Sequence, residues 1–361
     1  MAEKAVAVYV TSAEPFSGKS SLCVGLGLRF RRDGFHVGYM KPISSTAKRI
    51  KGRAIDEDVE SIKELFQLEE GSEILAPVCL DPLTLESILK GERMDVKQRI
   101  KKAYEQASKD KDVMLLGGGA SLNDGALVGL PSQKVAELLG AWELVIIRYE
   151  DDLSLNSLLL RQEVFGASML GAVLNTVPKR RLEYVRRTVR PFLEGRGIKV
   201  YAVLPEERIL LSMSVGELAE VLGGRILNSP EKADELVEHL MIGAMSVDSA
   251  LSYFRRKPNK AVITGGDRPD IQLAALETST KCLILTGNLY PNAVILARAE
   301  ELGVPMILVG QDTLTAVEII ERYFGKTRFH QKKKIDRFEK LLEKHFDFEG
   351  LYQALGLKTK N

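Results

Sequence analysis

The segment Thr11-Ser12-Ala13-Glu14-Pro15-Phe16-Ser17-Gly18-Lys19-Ser20 spaces its residues as A-x-x-x-x-G-K-S, the pattern of a loop that wraps phosphate groups. An apolar, β-branched run (5–10) precedes it and an apolar run opening at Ser21-Leu22 follows, which is the strand-loop-helix context this chemistry needs. There the backbone N–H groups around Ser17, Gly18, Ser20 and Ser21 and the helix N-terminus would cradle a polyphosphate. Lys19 would reach the β- and γ-phosphates and Ser20 would hold Mg²⁺, so a nucleotide polyphosphate with Mg²⁺ is the expected ligand. Ala13 stands where glycine is usual, and a glycine-poor turn that happens to contain Gly-Lys-Ser is the alternative.

Other positions could share that chemistry. Asp58, in Ile55-Asp56-Glu57-Asp58-Val59, could ligate Mg²⁺ through oxygen; equally, these acids could only cap a helix and favour its dipole. Lys41 follows an apolar run and precedes Pro42; it could neutralise charge developing in phosphoryl transfer, or be a solvated surface lysine. Asn175 closes another apolar run, and its carboxamide suits an adenine edge as well as a turn cap. After the run 113–116 comes Gly117-Gly118-Gly119-Ala120-Ser121. Many nucleotide hydrolases keep a carboxylate there; these glycines allow close backbone approach to a ligand but supply neither metal ligand nor base. Asp124 is no obvious substitute.

The elements that must position these residues follow from periodicity. Apolar runs at 5–10, 37–40, 113–116, 144–147, 172–174 and 200–203 read as strands, and the stretches 59–68, 96–108, 131–139 and 181–194 between them read as helices. This alternation predicts an α/β fold with a parallel sheet covered by helices on both faces. A second, smaller block repeats the grammar: strands at 261–264, 282–286 and 306–309 each run into a glycine-bearing turn. The turns Gly265-Gly266-Asp267-Arg268, Gly287-Asn288 and Gly310-Gln311-Asp312-Thr313 would gather at the carboxyl edge of one sheet, where open α/β folds bind ligands.

Composition bounds the rest. The 361 residues are 45% hydrophobic and 28% charged, enough for two folded domains. A net charge of +2 argues against a nucleic-acid partner. No apolar run reaches the ~20 residues of a membrane span, and three scattered cysteines fit a reducing cytoplasm. Four histidines lack metal-ligand spacing. From Lys326 onward ten basic residues face five acidic ones, a net of +5 that leaves the remainder at −3. Ile335, Phe338, Leu341, Leu342 and Phe346 recur there at helical spacing, as in a docked amphipathic helix with a solvated basic face. The expected domains are 1–209, 210–325 and a helical tail at 326–361.

Together these residues resemble the dethiobiotin synthetase branch of the phosphate-loop ATPases, in the version found at the N-terminus of long bacterial phosphate acetyltransferases. Residues 11–20 resemble that family's first loop, with Glu14 at its acidic position; Tyr39-Met40-Lys41-Pro42 resembles its Y-x-K-P segment. The resemblance implies that Lys41 contacts the reacting carbamate and phosphate, that Asp58 binds metal and that Asn175 reads adenine. The second block resembles the DRTGG domain through Thr264-Gly265-Gly266-Asp267-Arg268, Leu285-Thr286-Gly287, Gly303-Val304-Pro305 and Asp312-Thr313. That resemblance marks Gly265, Gly266, Asp267, Arg268, Thr286, Gly287, Asp312 and Thr313 as a ligand site or interface. One departure matters: the synthetases carry a metal-binding glutamate where this chain has Gly117.

The first expectation is an ATP- and Mg²⁺-binding regulatory or nucleotide-sensing homodimer without the acetyltransferase catalytic domain. The second is an ATP-dependent ligase or weak ATPase activating a small carboxylate or amine, with Lys19 and Lys41 catalytic and Ser20 and Asp58 on the metal.

Overall fold

The computed structural model describes residues 5–12, 14–50, 52–92, 94–119, 121, 123–324, 329 and 331–358. Ala13, Ala120 and the start of the tail at Lys326, all singled out above, lie outside them. The chain divides into two compact units, Met1–Glu206 with Lys332–Asn361, and Glu207–Gln331.

In the first unit the apolar runs become β1 (Val6–Thr11), β2 (Val37–Met40), β3 (Val113–Gly117), β4 (Trp142–Arg148), β5 (Met169–Val177) and β6 (Val200–Pro205). They pair in parallel in the order β6-β5-β4-β1-β3-β2. Helices α1 (Lys19–Arg32), α2 (Glu57–Phe66), α3 (Val96–Ala107), α4 (Ser132–Leu139) and α5 (Leu155–Phe165) connect or follow them. One apolar cluster joins β1, β2 and β3 to α3 and α4; a second joins β4, β5 and β6 to α5 and the helical stretch beyond Leu182. Strands buried this completely need no polar alternation, which is why they read as continuous apolar runs. The helix expected at 181–194 is helical but not regular: a π-turn, Val185–Val189, precedes Arg190–Glu194. Pro191 has no N–H to donate to the preceding turn, and the hydrogen-bond ladder widens ahead of it.

The second unit carries β7 (Arg225–Ile226), β8 (His239–Ile242), β9 (Lys260–Gly265), β10 (Thr280–Thr286) and β11 (Met306–Leu308), in the order β7-β11-β10-β9-β8. Only β7 runs antiparallel to its neighbour. Helix α6 (Pro269–Leu276) follows β9, and α7 (Thr313–Tyr323) follows β11. The sequence reading foresaw three of the five strands of this sheet. It missed the edge strands because β7 is two residues long and β8, His-Leu-Met-Ile, has a single β-branched residue.

Residues beyond 331 form α8 (Lys332–His345) and α9 (Phe348–Leu355). Expected as a segment of their own, they group instead with the first unit, and the reason is packing. Ile335, Phe338, Leu341 and Leu342 are buried, and Leu342 Cδ1 lies 2.4 Å from where a Cβ on Gly25 of α1 would stand. The Phe346 ring stacks on Tyr201 of β6 at 5.8 Å, and the Asp347 N–H donates to the Tyr201 carbonyl at 2.8 Å.

Candidate functional site

Beyond β1 the chain turns through the loop, and Gly18, at φ 102°, enters α1 from the left-handed region. The loop is held from inside. The Ser12 hydroxyl donates to the Glu14 carbonyl at 2.8 Å, and Lys19 Nζ donates to the same carbonyl at 3.1 Å. The Glu14 carboxylate accepts from the Arg148 N–H at the end of β4, 2.8 Å away. Ser17 is buried, while Ser20 and Ser21 sit half-buried in the first turn of α1. Burial, and then the charges of Arg161 and Lys41, lower the Lys19 ammonium to about 8. The charges of Asp124 and Glu14 act on it in the opposite direction.

The acids at the start of α2 divide their work. Asp56 is the N-cap: its Oδ1 accepts from the Asp58 and Val59 N–H groups at 3.0 and 3.2 Å. Its Oδ2 accepts from Lys41 Nζ at 2.7 Å, from Thr46 Oγ1 at 3.0 Å and from Ser44 Oγ. Burial alone would raise this carboxyl, but the charge and hydrogen bond of Lys41, with those of Ser44 and Val59, hold it below its ordinary value. Lys41 is buried, which removes the solvated-lysine alternative. With capping done by Asp56, Asp58 faces α1: Ser20 Oγ donates to its Oδ2 at 2.9 Å, and Lys41 Nζ lies 3.9 Å from the same oxygen. Serine hydroxyl and half-exposed carboxylate are hard oxygen donors that fit Mg²⁺, which commonly takes one or two carboxylates and completes its shell with phosphate and water. Among the described residues no group of three or more His, Cys, Asp or Glu could hold a metal.

The register Arg148↔Asn175 carries Asn175 to the loop. Its amide donates to the Ser17 carbonyl at 2.9 Å, and its Oδ1 accepts from the Thr176 N–H at 2.9 Å. The carboxamide expected to read adenine braces the phosphate loop here. A Cβ on Gly18 would stand 2.6 Å from Asn175 Nδ2. At the other notable glycine, a Cβ on Gly117 would stand 2.6 Å from the hydroxyl of buried Tyr39. A side chain there would have to be fitted against that ring.

Sequence reading overlooked several participants. Ser44 and Thr46, and the pairing of Asp56 with Lys41, depend on tertiary hydrogen bonds that no spacing announces. Asp124, passed over above, accepts from Ser45 at 2.8 Å and from Ser121 at 3.0 Å, and its charge acts on Lys19. Thr11, Glu143 and Arg161 form a buried cluster behind the loop. A charged residue directly ahead of the expected strand 144–147 was the available signal for Glu143.

In the second unit the three turns meet. A Cβ on Gly266 would stand 1.7 Å from the Leu289 carbonyl oxygen, so only glycine fits. The Gly287 N–H donates to the Gln311 carbonyl at 2.8 Å, and the Thr286 and Thr313 hydroxyls are 2.9 Å apart. Arg268 pairs with Asp270 at 3.0 Å and donates to the Met245 carbonyl at 3.3 Å. Asp312 caps α7 through the Thr315 N–H at 3.0 Å. Gly265 is half-buried at the end of β9, and Asp267 next to it is exposed.

Along 96% of its length the chain is 25% identical to the phosphate acetyltransferase of Nitratidesulfovibrio vulgaris, of which it covers 51%. Against the phosphate acetyltransferase of Pseudomonas aeruginosa the identity is 24%, over 94% of this chain and 50% of that protein. The chain thus spans about half the length of these relatives. The ATP-dependent dethiobiotin synthetase of Caldicellulosiruptor saccharolyticus is 26% identical over 32% of this chain and 49% of its own. Two solved structures are more distant. Cobyrinic acid a,c-diamide synthase from Mycobacterium smegmatis, with bound ATP analogue and magnesium, shares 16% identity over 56% of this chain and 86% of its own at a TM-score of 0.35. The CBS and DRTGG domains of Clostridium perfringens pyrophosphatase, complexed with the activator diadenosine tetraphosphate, share 18% over 45% and 77% at 0.30. The AAA domain profile matches residues 6–214 and the DRTGG domain profile residues 217–323. Since the first match covers more than half of the chain and spans the sheet that carries the phosphate loop, the protein belongs to the AAA domain family, with a DRTGG domain following in the same chain.

Proposed function

We propose that the first unit binds ATP with Mg²⁺ and that the protein acts as a nucleotide-responsive regulator related to the N-terminal part of phosphate acetyltransferase. One observation carries the reading: Lys19, Lys41, Ser20 and Asp58 converge on the phosphate loop, while Gly117 contributes no carboxylate. One ligand fewer on a hard cation weakens charge neutralisation in a transition state more than it weakens ground-state binding.

The competing reading is an ATP-dependent ligase that activates a small carboxylate or amine. Buried Lys41 favours it, since its ammonium is aimed at the edge of the phosphate site by Asp56 rather than spent on solvent. Calorimetry with ATP and Mg²⁺, followed by assay of ADP release with candidate substrates, separates the two. For a regulator, micromolar binding should weaken roughly 100-fold in Lys19→Ala, because a charge-assisted phosphate contact is lost, and no ADP should form. Rapid substrate-dependent ADP formation would replace the regulator with the ligase.

The polar turns around Asp267, Arg268, Thr286 and Asp312 form, in this reading, the ligand or dimer surface of the DRTGG domain. Asp267→Ala and Arg268→Ala should shift the dimer equilibrium in sedimentation, or the response to nucleotide. If both variants behave as the parent in both measurements, the surface lies elsewhere.

A further inference from the structure

Arg161 on α5 and Glu143 on β4 are fully buried and form an ion pair behind the phosphate loop. Arg161 Nη1 donates to Glu143 Oε1 and, at 2.7 Å, to the hydroxyl of Thr11; that hydroxyl donates in turn to the same glutamate oxygen. The arrangement leaves Arg161 Nε and Nη2 and Glu143 Oε2 without hydrogen-bond partners. Burying ions so incompletely satisfied is unfavourable, and an apolar pair of similar volume is often at least as stable. Stability therefore does not account for the pair, but its position does. Thr11 is the last residue of β1, the point at which the phosphate loop leaves the sheet. On the other side of that point the Gly118 N–H donates to the Val10 carbonyl at 2.8 Å.

We propose that Arg161 and Glu143 are positioning residues for a bound polyphosphate: through Thr11 they fix the departure of the loop from β1. The ligand class is the di- or triphosphate chain itself, whatever nucleoside it carries. The proposal rests on the reading of this loop as a nucleotide site.

The test uses the full chain. The pair is replaced as a unit in Arg161→Met/Glu143→Leu, and the link to the loop alone is cut in Thr11→Val. Hydrogen exchange read by mass spectrometry should show the loop (12–20) exchanging roughly tenfold faster in both variants, with β3 protected as in the parent. Affinity for a non-hydrolysable triphosphate with Mg²⁺ should fall about tenfold while adenosine binding is unchanged, and Arg161→Lys should recover part of the loss. Loop exchange equal to the parent overturns the proposal. So does loss of protection across all peptides of Thr11→Val, which would make the cluster structural only. Should the double variant fail to fold, Thr11→Val decides. A parent protein that binds no nucleotide would sink the functional reading and this proposal with it, whereas parent-like loop exchange in a protein that does bind nucleotide would sink this proposal alone.

Discussion

Asp56 and Asp58 stand two residues apart in one acidic turn, yet the backbone gives them separate work. At φ −100° and ψ 114° Asp56 occupies the extended conformation of an N-cap, so its side chain turns back to the helix N–H groups and to Lys41. Asp58, inside the first turn, points toward Ser20. Asp58→Asn should therefore abolish the Mg²⁺-dependent part of ATP affinity, roughly tenfold, and leave metal-free binding nearly unchanged; equal affinities with and without Mg²⁺ in the parent would remove Asp58 from the metal. Asp56→Asn should act on stability instead. Breaking a buried pair strands the Lys41 charge and costs about 3 kcal/mol, read by urea unfolding. The sequence placed both acids at a helix start but could not apportion the roles, because that depends on which one the preceding chain leaves outside the helix.

Among the elements, α8 and α9 hold the clearest consequences. Asp347 caps α9 through the Gly350 N–H at 2.9 Å and pairs with Lys199 at 3.0 Å. The Gly350 hydrogen bond first, and then Lys199, hold its carboxyl below the ordinary range. A carboxyl depressed in the folded state stabilises fully above its unfolded value of about 3.9 and loses that contribution as pH falls through the folded value. Acid titration should accordingly loosen α9 before the central strands, read as earlier amide exchange in 348–355, and Asp347→Asn should flatten the pH dependence of that step. If α9 and the central strands lose protection at one pH in the parent, the cap has no such role. The helical period of Ile335, Phe338, Leu341 and Leu342 was legible in the sequence. Its receiving surface was not, since that surface is made by Gly25 on α1 and Tyr201 on β6, distant in the chain.

At the scale of the whole molecule, the tail returns to the unit with which the chain begins, so Glu207–Gln331 is inserted within Met1–Glu206 and Lys332–Asn361. Charge does not explain that return. The tail is basic, but Arg32 of α1 pairs with its acids Glu339 and Glu343, and exposed pairs of this kind contribute little. The apolar stripe does explain it, at about 1.5–3 kcal/mol for each fully buried large side chain. A protein ending at Gln331 should show a lower melting temperature for the first unit and bind a hydrophobic dye along exposed α1; an unchanged first transition would show that α8 and α9 contribute nothing to it. The phosphate loop, the central strands and the three turns of the second unit could be read from the residues alone, because each depends on neighbours in the chain: periodicity, β-branching, and glycine at fixed spacing. The brace of Asn175 on Ser17, the grip of Arg161 on Thr11, the Tyr39 hydroxyl at Gly117 and the docking of the tail are contacts between residues far apart in sequence. They exist only once packing has set the register of the sheet, and local pattern carries no information about which distant side chains that register brings together.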